Sequence, residues 1–433
     1  MHITFTRRTR RTGVLVALAA MSAFAFATPA GAQTDAAPGV TPKTIDVGAV
    51  IAKTNPTGIR YQDVVDGAKI YFDQVNKAGG VNGRSIKIVK ILDDQTRSSK
   101  SVLAARSLVE EENVFAAFQA GSEFAGADVY KKAGTPVFGY NIQEEWSNAP
   151  NMFGTYGSYL CLKECPQWGG AFIAKQEGFK RPAIFAYGSS PQSSECANRS
   201  RDAFEKWGAT PVVFDTSISF GFSANDISGA VQSIKDNNAD FVVTCMDLNG
   251  MLNIKKTIES AGIQGVSYLA PQGYDAETIK KLSKDIDGMY FLAQFTPFEA
   301  PQGNPGMLKF LKTMKRSGRS PNENLLVGWT GAALLTEGLK RAGENPTQQG
   351  VIDAINQITD WNADGAIRPV NWTTAHGPAK PGSKACASFV QAENGKFVPL
   401  YGDPGKPMVC ISASPYPTTL DDYVTINAAD PPQ

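Results

Sequence analysis

Residues 76–95 read NKAGGVNGRSIKIVKILDDQ. Gly79-Gly80 closes a helix in the left-handed region, and Asn82-Gly83 turns the chain into a strand, SIKIVKIL. Upstream, Tyr61 to Lys77 places Val64, Val65, Ala68, Phe72 and Val75 at helical spacing. Downstream, Ser99 to Glu112 does the same with Val102, Leu103, Ala105, Leu108 and Val109. Strand-like runs TIDVGAVI (44–51), VFAAFQA (114–120) and TPVFGY (135–140) flank them, with a helix predicted over Phe124 to Ala133. This βα repetition predicts a parallel sheet with helices on both faces.

The pattern breaks at 141–168, NIQEEWSNAPNMFGTYGSYLCLKECPQW, and then resumes. Strands are expected at RPAIFAYG, TPVVFDT, DFVVTCM, VSYLAPQ and GMYFLAQF. Helices are expected over Glu195 to Trp207, Asn225 to Asp236, Met251 to Ala261 and Ala276 to Leu282. Gly306 to Ser317, Asn324 to Ala342 and Gln348 to Ile358 read as later helices, before final strands. The chain has 433 residues, 42% hydrophobic and 19% charged, which is globular composition and too long for one comfortable domain.

The first 32 residues read as a secretory signal. Arg7, Arg8, Arg10 and Arg11 precede an apolar run from Gly13 to Ala27, and Ala30-Gly31-Ala32 supplies a cleavage site before Gln33. The run is short for a membrane span, and no cysteine near the site suggests a lipid anchor. An arginine-rich Sec-type signal fits better than a twin-arginine one. Cleavage removes four arginines and no acids, leaving 38 basic against 41 acidic residues, so nucleic acid is not an expected partner. Residues 33–43 read as a linker.

Six cysteines in an exported chain read as disulfides. Cys386 and Cys410 flank two strand-like runs joined by Glu-Asn-Gly-Lys, and are expected to pair. Cys161, Cys165, Cys196 and Cys245 are expected to pair among themselves, with connectivity open. The CxxxC spacing of Cys161 and Cys165, with His376 the only histidine beyond the signal, argues against zinc. No metal or other cofactor is expected.

Residues 66–118, DGAKIYFDQVNKAGGVNGRSIKIVKILDDQTRSSKSVLAARSLVEEENVFAAF, resemble the opening block of the type I periplasmic solute-binding proteins of ABC importers, in the branched-chain amino acid (leucine)-binding protein family. The matching elements are Asp66-Gly67-Ala68, Asn76, Gly79-Gly80-Val81, Gly83, Asp93-Asp94 and Leu108-Val109, and VYKKAGTPVF follows suit. The resemblance covers most of 44–400 and weakens beyond Ala342. It implies two doubly wound parallel-sheet α/β lobes joined by three hinge crossings, closing on a small solute. The expected boundaries are lobe 1 at 44–141 plus 289–342 and lobe 2 at 155–285 plus 350–415. Crossings are expected at 142–154, 286–288 and 343–349, with a tail at 416–433.

In open α/β sheets, ligands bind beyond the carboxyl ends of strands. The resemblance therefore points to Arg60 and Tyr61 after the first strand, and Gln119, Gly121 and Ser122 after the third. Asn141 and Gln143 follow the fourth. Ser122 would either hold a solute carboxylate or simply cap a helix, because the family's serine is displaced in FQAGSEFAG. In the second lobe it points to Tyr187, Ser193, Asp247, Gln272 and Tyr274. Gln272 stands where the amino-acid binders carry a Glu for the ammonium. Losing that charge-assisted bond should cost roughly 1.5–3 kcal/mol unless Asp247 or Asp275 replaces it. Trp329 is expected in the core, and Asp94 in a turn.

The implied function is capture of a small amino-acid-like or amide/carboxylate solute by a monomeric, periplasmic or secreted subunit that delivers it to an ABC permease. A binding protein that feeds a sensor is the alternative. No enzyme is expected: G-x-S-x-G, H-E-x-x-H and P-loop motifs are absent.

Overall fold

The computed structural model describes residues 37–157 and 166–430. The expected signal (1–32), Cys161 and Cys165 lie outside the described residues. The first sheet begins with β1 (Thr44–Ile51), α1 (Gln62–Lys77) and β2 (Ser85–Asp93). It continues with α2 (Ser98–Arg106), β3 (Ala116–Ala120), α3 (Ala127–Ala133), β4 (Val137–Gly139) and β5 (Met152–Gly154). Its order is β2-β1-β3-β4-β5, and every pairing is parallel. β3 and β4 are buried throughout and β1 nearly so, as interior parallel strands covered on both faces must be. β2, on the edge, is only partly buried and carries Lys87 and Lys90.

The second sheet collects α4 (Trp168–Glu177), β6 (Pro182–Tyr187), α5 (Pro191–Lys206), β7 (Val213–Ile218) and α6 (Ser228–Asp236). β8 (Phe241–Cys245), α7 (Leu248–Ser260), β9 (Ser267–Ala270), α8 (Ala276–Leu282) and β10 (Tyr290–Ala293) follow. Three helices then come in succession: α9 (Pro305–Arg316), α10 (Glu323–Ala342) and α11 (Gln348–Ile355). β11 (Lys384–Glu393), β12 (Lys396–Leu400), β13 (Met408–Ser412) and β14 (Val424–Ile426) complete the chain. The sheet order is β14-β13-β11-β10-β9-β8-β6-β7, with β12 on β11. β6 to β10 are parallel, and the late strands are antiparallel. The second lobe is therefore a doubly wound parallel sheet extended on one side by the late antiparallel strands.

Three expected boundaries differ from the structure. β5 pairs β4 in the first sheet, so the chain leaves that sheet after Gly154, not across 142–154. β10 pairs β9 and β11, so 290–293 belong to the second sheet. α11 stays with the first lobe, where Gln348 donates to the carbonyls of Val114 and Phe115. The chain thus leaves the first sheet after Gly154 and is in the second lobe by α4, and it passes between the sheets again over 294–304 and 356–383. The physical reason is hydrogen bonding: an apolar run such as GMYFLAQF announces a strand, but only its ladder partners assign it to a sheet.

The opening stretch does what its residues require. Gly80 has φ 75°, and a Cβ there would sit 2.1 Å from the Arg84 carbonyl oxygen. The small residues of α1 have a second purpose. A Cβ on Gly67 would meet the Leu325 carbonyl oxygen at 2.1 Å, and one on Gly328 would meet that of Val64 at 1.8 Å. α1 and α10 therefore touch backbone to backbone, which only glycine permits. Trp329 packs edge-on to Tyr71 at 4.8 Å, in the core. Asp94 accepts the Thr96 N–H at 2.9 Å in a turn.

Cys386 and Cys410 form a disulfide, opposite one another on β11 and β13. The Glu-Asn-Gly-Lys turn is present, between β11 and β12. Cys196 and Cys245 form a second disulfide, between α5 and the end of β8. The final residues return to the sheet crossings: Asn362 donates to the Ala428 carbonyl at 2.9 Å, and Asn427 to that of Gln302 at 3.3 Å.

Candidate functional site

A cleft of about 270 Å³ opens at the carboxyl ends of strands from both sheets. One wall comes from the first lobe: the loop after β1 (Thr57 to Arg60), Tyr140 after β4, and the start of α10 at Asn322 to Asn324. The facing wall comes from Asp247 to Asn249 after β8 and Pro271 to Asp275 after β9. Leu248, Leu282, Leu292 and Phe295 supply apolar surface.

Side chains close the rim from wall to wall. The Arg60 guanidinium donates to Glu277 at 2.8 Å and lies 3.9 Å from Asp275, while its Nε faces Asp63 at 3.2 Å. Burial alone would lower the Arg60 pKa, but Asp63, Asp275 and Glu277 together raise it. Glu277 is held below the ordinary carboxylate range by Lys281 and Arg60. Gln272 Nε2 reaches the Tyr140 hydroxyl at 3.4 Å, and Asn249 Nδ2 reaches the Thr57 carbonyl at 3.4 Å.

Four of the twelve residues expected at a solute line the cleft: Arg60, Asp247, Gln272 and Tyr274. Tyr187 and Ser193 stand one layer behind Asp247. The Tyr187 hydroxyl donates to Asp247 Oδ2 at 2.8 Å, and Ser193 Oγ accepts the Tyr187 N–H at 2.8 Å and donates to the Cys245 carbonyl at 2.5 Å. The strand end carrying Asp247 is thus pinned by hydrogen bonds and by the Cys196–Cys245 bridge.

The other six are occupied inside the first lobe or its exit. Tyr61 is 1% exposed and its hydroxyl lies 3.1 Å from Ser122 Oγ; burial holds the phenol well above its ordinary value. Ser122 does not open a helix, because α3 begins at Ala127. Gln119 donates to the Glu123 carbonyl at 3.3 Å. Gln143 donates to the Gly121 carbonyl at 2.6 Å and accepts the Trp146 indole N–H at 3.0 Å. Asn141 donates to the Gly157 carbonyl at 2.5 Å and accepts the Tyr156 N–H, fastening the first crossing.

Glu323 is the charged lining residue at the head of α10 and was not among the residues expected at a solute. Burial raises its carboxyl to about 7, offset in part by the Tyr156 hydroxyl, which donates to Oε1 at 3.2 Å. Its signal was the polar run Asn322-Glu323-Asn324 at the head of an otherwise apolar helix. Among the described residues, no group of three or more His, Cys, Asp or Glu side chains is arranged to hold a metal ion, and no helix is long and apolar enough to cross a membrane.

Two sheet-based lobes with a lined cleft between strand ends define a bilobal solute-binding architecture. The family described as "Periplasmic binding protein" matches residues 44–396, and the chain belongs to that family. The family comprises binding proteins, not enzymes; its members take small molecules and work with ABC permeases, and membership implies an extracytoplasmic location. The Leu/Ile/Val-binding protein homolog 7 of Brucella melitensis is 23% identical over 409 residues, covering 90% of this chain and 96% of that protein. The fold is shared with the branched-chain amino acid transporter substrate-binding protein LivJ of Streptococcus pneumoniae, solved with isoleucine. That match has a TM-score of 0.68 and 16% identity, over 82% of this chain and 98% of that one. It is shared too with a solute-binding protein of an R. palustris ABC transporter, solved with benzoate (TM-score 0.66, 19% identity, 82% and 95% covered).

Proposed function

We propose that this protein is the solute-binding subunit of an ABC importer, working as a periplasmic monomer after loss of its signal. It captures a small amino-acid-like, amide or carboxylate solute between the lobes and delivers it to the permease. Arg60, Asp247, Gln272 and Tyr274 face the solute, and the crossings, among them 294–304 and 356–383, act as the hinge.

The observation that carries this reading is that the cleft's two walls belong to different sheets and meet at the rim through side chains such as Arg60 and Glu277. A solute that touches both walls does so only when they are close, so binding shifts the population toward the closed form. The relatives' names support an amino-acid-like or small-acid solute.

The test is a thermal-shift screen of residues 33–433, stripped of carried-over solute by unfolding and refolding. The panel holds branched-chain and aromatic amino acids, short amides, urea, and aromatic and hydroxy acids. A solute at about 100 times its Kd adds about 2.7 kcal/mol of stability, a shift of several degrees. A hit that also lowers the radius of gyration in X-ray scattering is expected. Silence across the panel, or binding without compaction, counts against the reading.

A further inference from the structure

Helix N-termini at strand ends attract anions, because their first N–H groups lack partners and carry the positive end of the helix dipole. Three helices begin at this cleft, and the protein has filled each with an acceptor of its own. Asp247 Oδ1 accepts the N–H groups of Asn249 and Gly250 at the head of α7. Asp275 Oδ1 accepts those of Glu277 and Thr278 at the head of α8. Asn322 Oδ1 accepts that of Leu325 at the head of α10. All three capping residues line the cleft.

The charges that remain point one way. Carboxyl groups from Asp63, Asp247, Asp275 and Glu323 line the cavity, and Arg60 is the one cationic side chain among the described lining residues. Arg60 is already engaged by Asp63 and Glu277, with Asp275 close by. Asp63 is likewise taken, by Arg319 at 3.0 Å and by Asn322 at 2.8 Å. Glu323 has no ion pair with a described cation, and the Tyr156 hydroxyl is its one hydrogen-bond donor among the described side chains. Tyr140, Tyr274 and Phe295 add aromatic surface, which also favours a cation.

We propose that the cleft recognises the positively charged end of its solute, with Glu323 as the counter-charge, so that small organic amines are bound and a carboxylate on the solute is dispensable. This rests on the solute-binding reading above and narrows it. A cation beside Glu323 stabilises the ionised carboxylate, so binding near neutral pH releases the proton from those molecules in which it is held.

The experiment uses residues 33–433 and two hydrocarbon frames, branched and aromatic, each with four head groups. The branched probes are leucine, 3-methylbutylamine, 4-methylpentanamide and 4-methylpentanoate. The aromatic probes are phenylalanine, 2-phenylethylamine, 3-phenylpropanamide and 3-phenylpropanoate. Calorimetry at pH 7 in two buffers of different ionisation enthalpy reads affinity and proton release together. The expected result is that an amine binds at least as tightly as its amino acid, with the acid silent and a proton released. Glu323→Gln should weaken amine binding at least tenfold and abolish the release. The wild-type proton count stands even if that variant fails to fold. Binding of an acid or amide with the amines silent overturns the assignment and leaves the solute-binding reading intact. So does an amino acid that binds a hundredfold more tightly than its amine. Silence from all eight probes also overturns it, and the broader screen above then decides the solute-binding reading separately.

Discussion

Replacing Cys196 and Cys245 together by alanine should cost about 4 kcal/mol of stability. The bridge closes a loop of 49 residues, and the chain-entropy relation converts that loop length into about 4 kcal/mol at 25 °C. With an unfolding entropy of about 2.1 cal/mol/K per residue and roughly 400 residues melting together, the midpoint should fall by about 5 °C. The cleft should register the change as well. Cys245 ends β8, two residues before Asp247, and its carbonyl holds Ser193, which holds the Tyr187 backbone. Freed of the bridge, the strand end carrying Asp247 should wander and solute affinity should fall. The assay is urea unfolding of both proteins, followed by titration with the best solute from the screen. The Cys386–Cys410 bridge, with a separation of 24, serves as an internal comparison worth about 3.5 kcal/mol, and its loss should leave affinity unchanged. A loss below about 1 kcal/mol for the first pair would refute the loop argument. Unchanged affinity would refute the positioning argument.

Arg60→Met or Glu277→Gln should open the ligand-free protein while changing stability by less than about 1 kcal/mol, because exposed ion pairs are worth little. A larger radius of gyration in X-ray scattering is the expected readout, and an unchanged one removes the rim pair from the closing motion. Gly328→Ala should destabilise by roughly 1–3 kcal/mol through overpacking against the Val64 carbonyl, whereas Gly229→Ala, which meets nothing within 4 Å in α6, should not destabilise. His376 is packed against Phe153 and Trp372, and burial lowers its pKa to about 4. It stays neutral in the fold while the unfolded chain takes up a proton below about 6.5. Stability is therefore full above 6.5 and falls as pH drops toward 4, by roughly 3 kcal/mol in all. Unfolding measured across that range should lose this slope in His376→Asn.

The first lobe was readable because its helices are amphipathic and its glycines are punctuation. Val64, Ala68 and Phe72 repeat at helical spacing, and Gly79-Gly80 ends the helix for reasons local to the chain. The crossings were not readable. β5 and β10 are three and four residues long, and their sheet is fixed by partners distant in sequence. The site divided along the same line. Asp247, Gln272 and Tyr274 follow strands that alternation had placed correctly, and all three line the cleft. Gln119 lies near the end of β3, and Asn141 and Gln143 follow β4, but their amides are consumed by neighbours that no spacing rule reveals. Glu323 escaped notice because it begins a helix instead of following a strand.

The backbone contact between α1 and α10 also sets the order of folding. β1 to β5 emerge first from the ribosome, yet the helix that covers α1 is made only after the whole of β6 to β10. The early lobe must wait, its apolar face uncovered, while the later one already has its parallel core contiguous in the chain. Such long-range closure is slow, and the waiting surface is prone to association. Folding should therefore run against synthesis, with β6 to β9 gaining protection before β1 to β3. Pulsed hydrogen exchange during refolding reads that order directly, and protection of β1 to β3 first would sink it. A late α10 also gives a chaperone its longest opportunity at the first lobe.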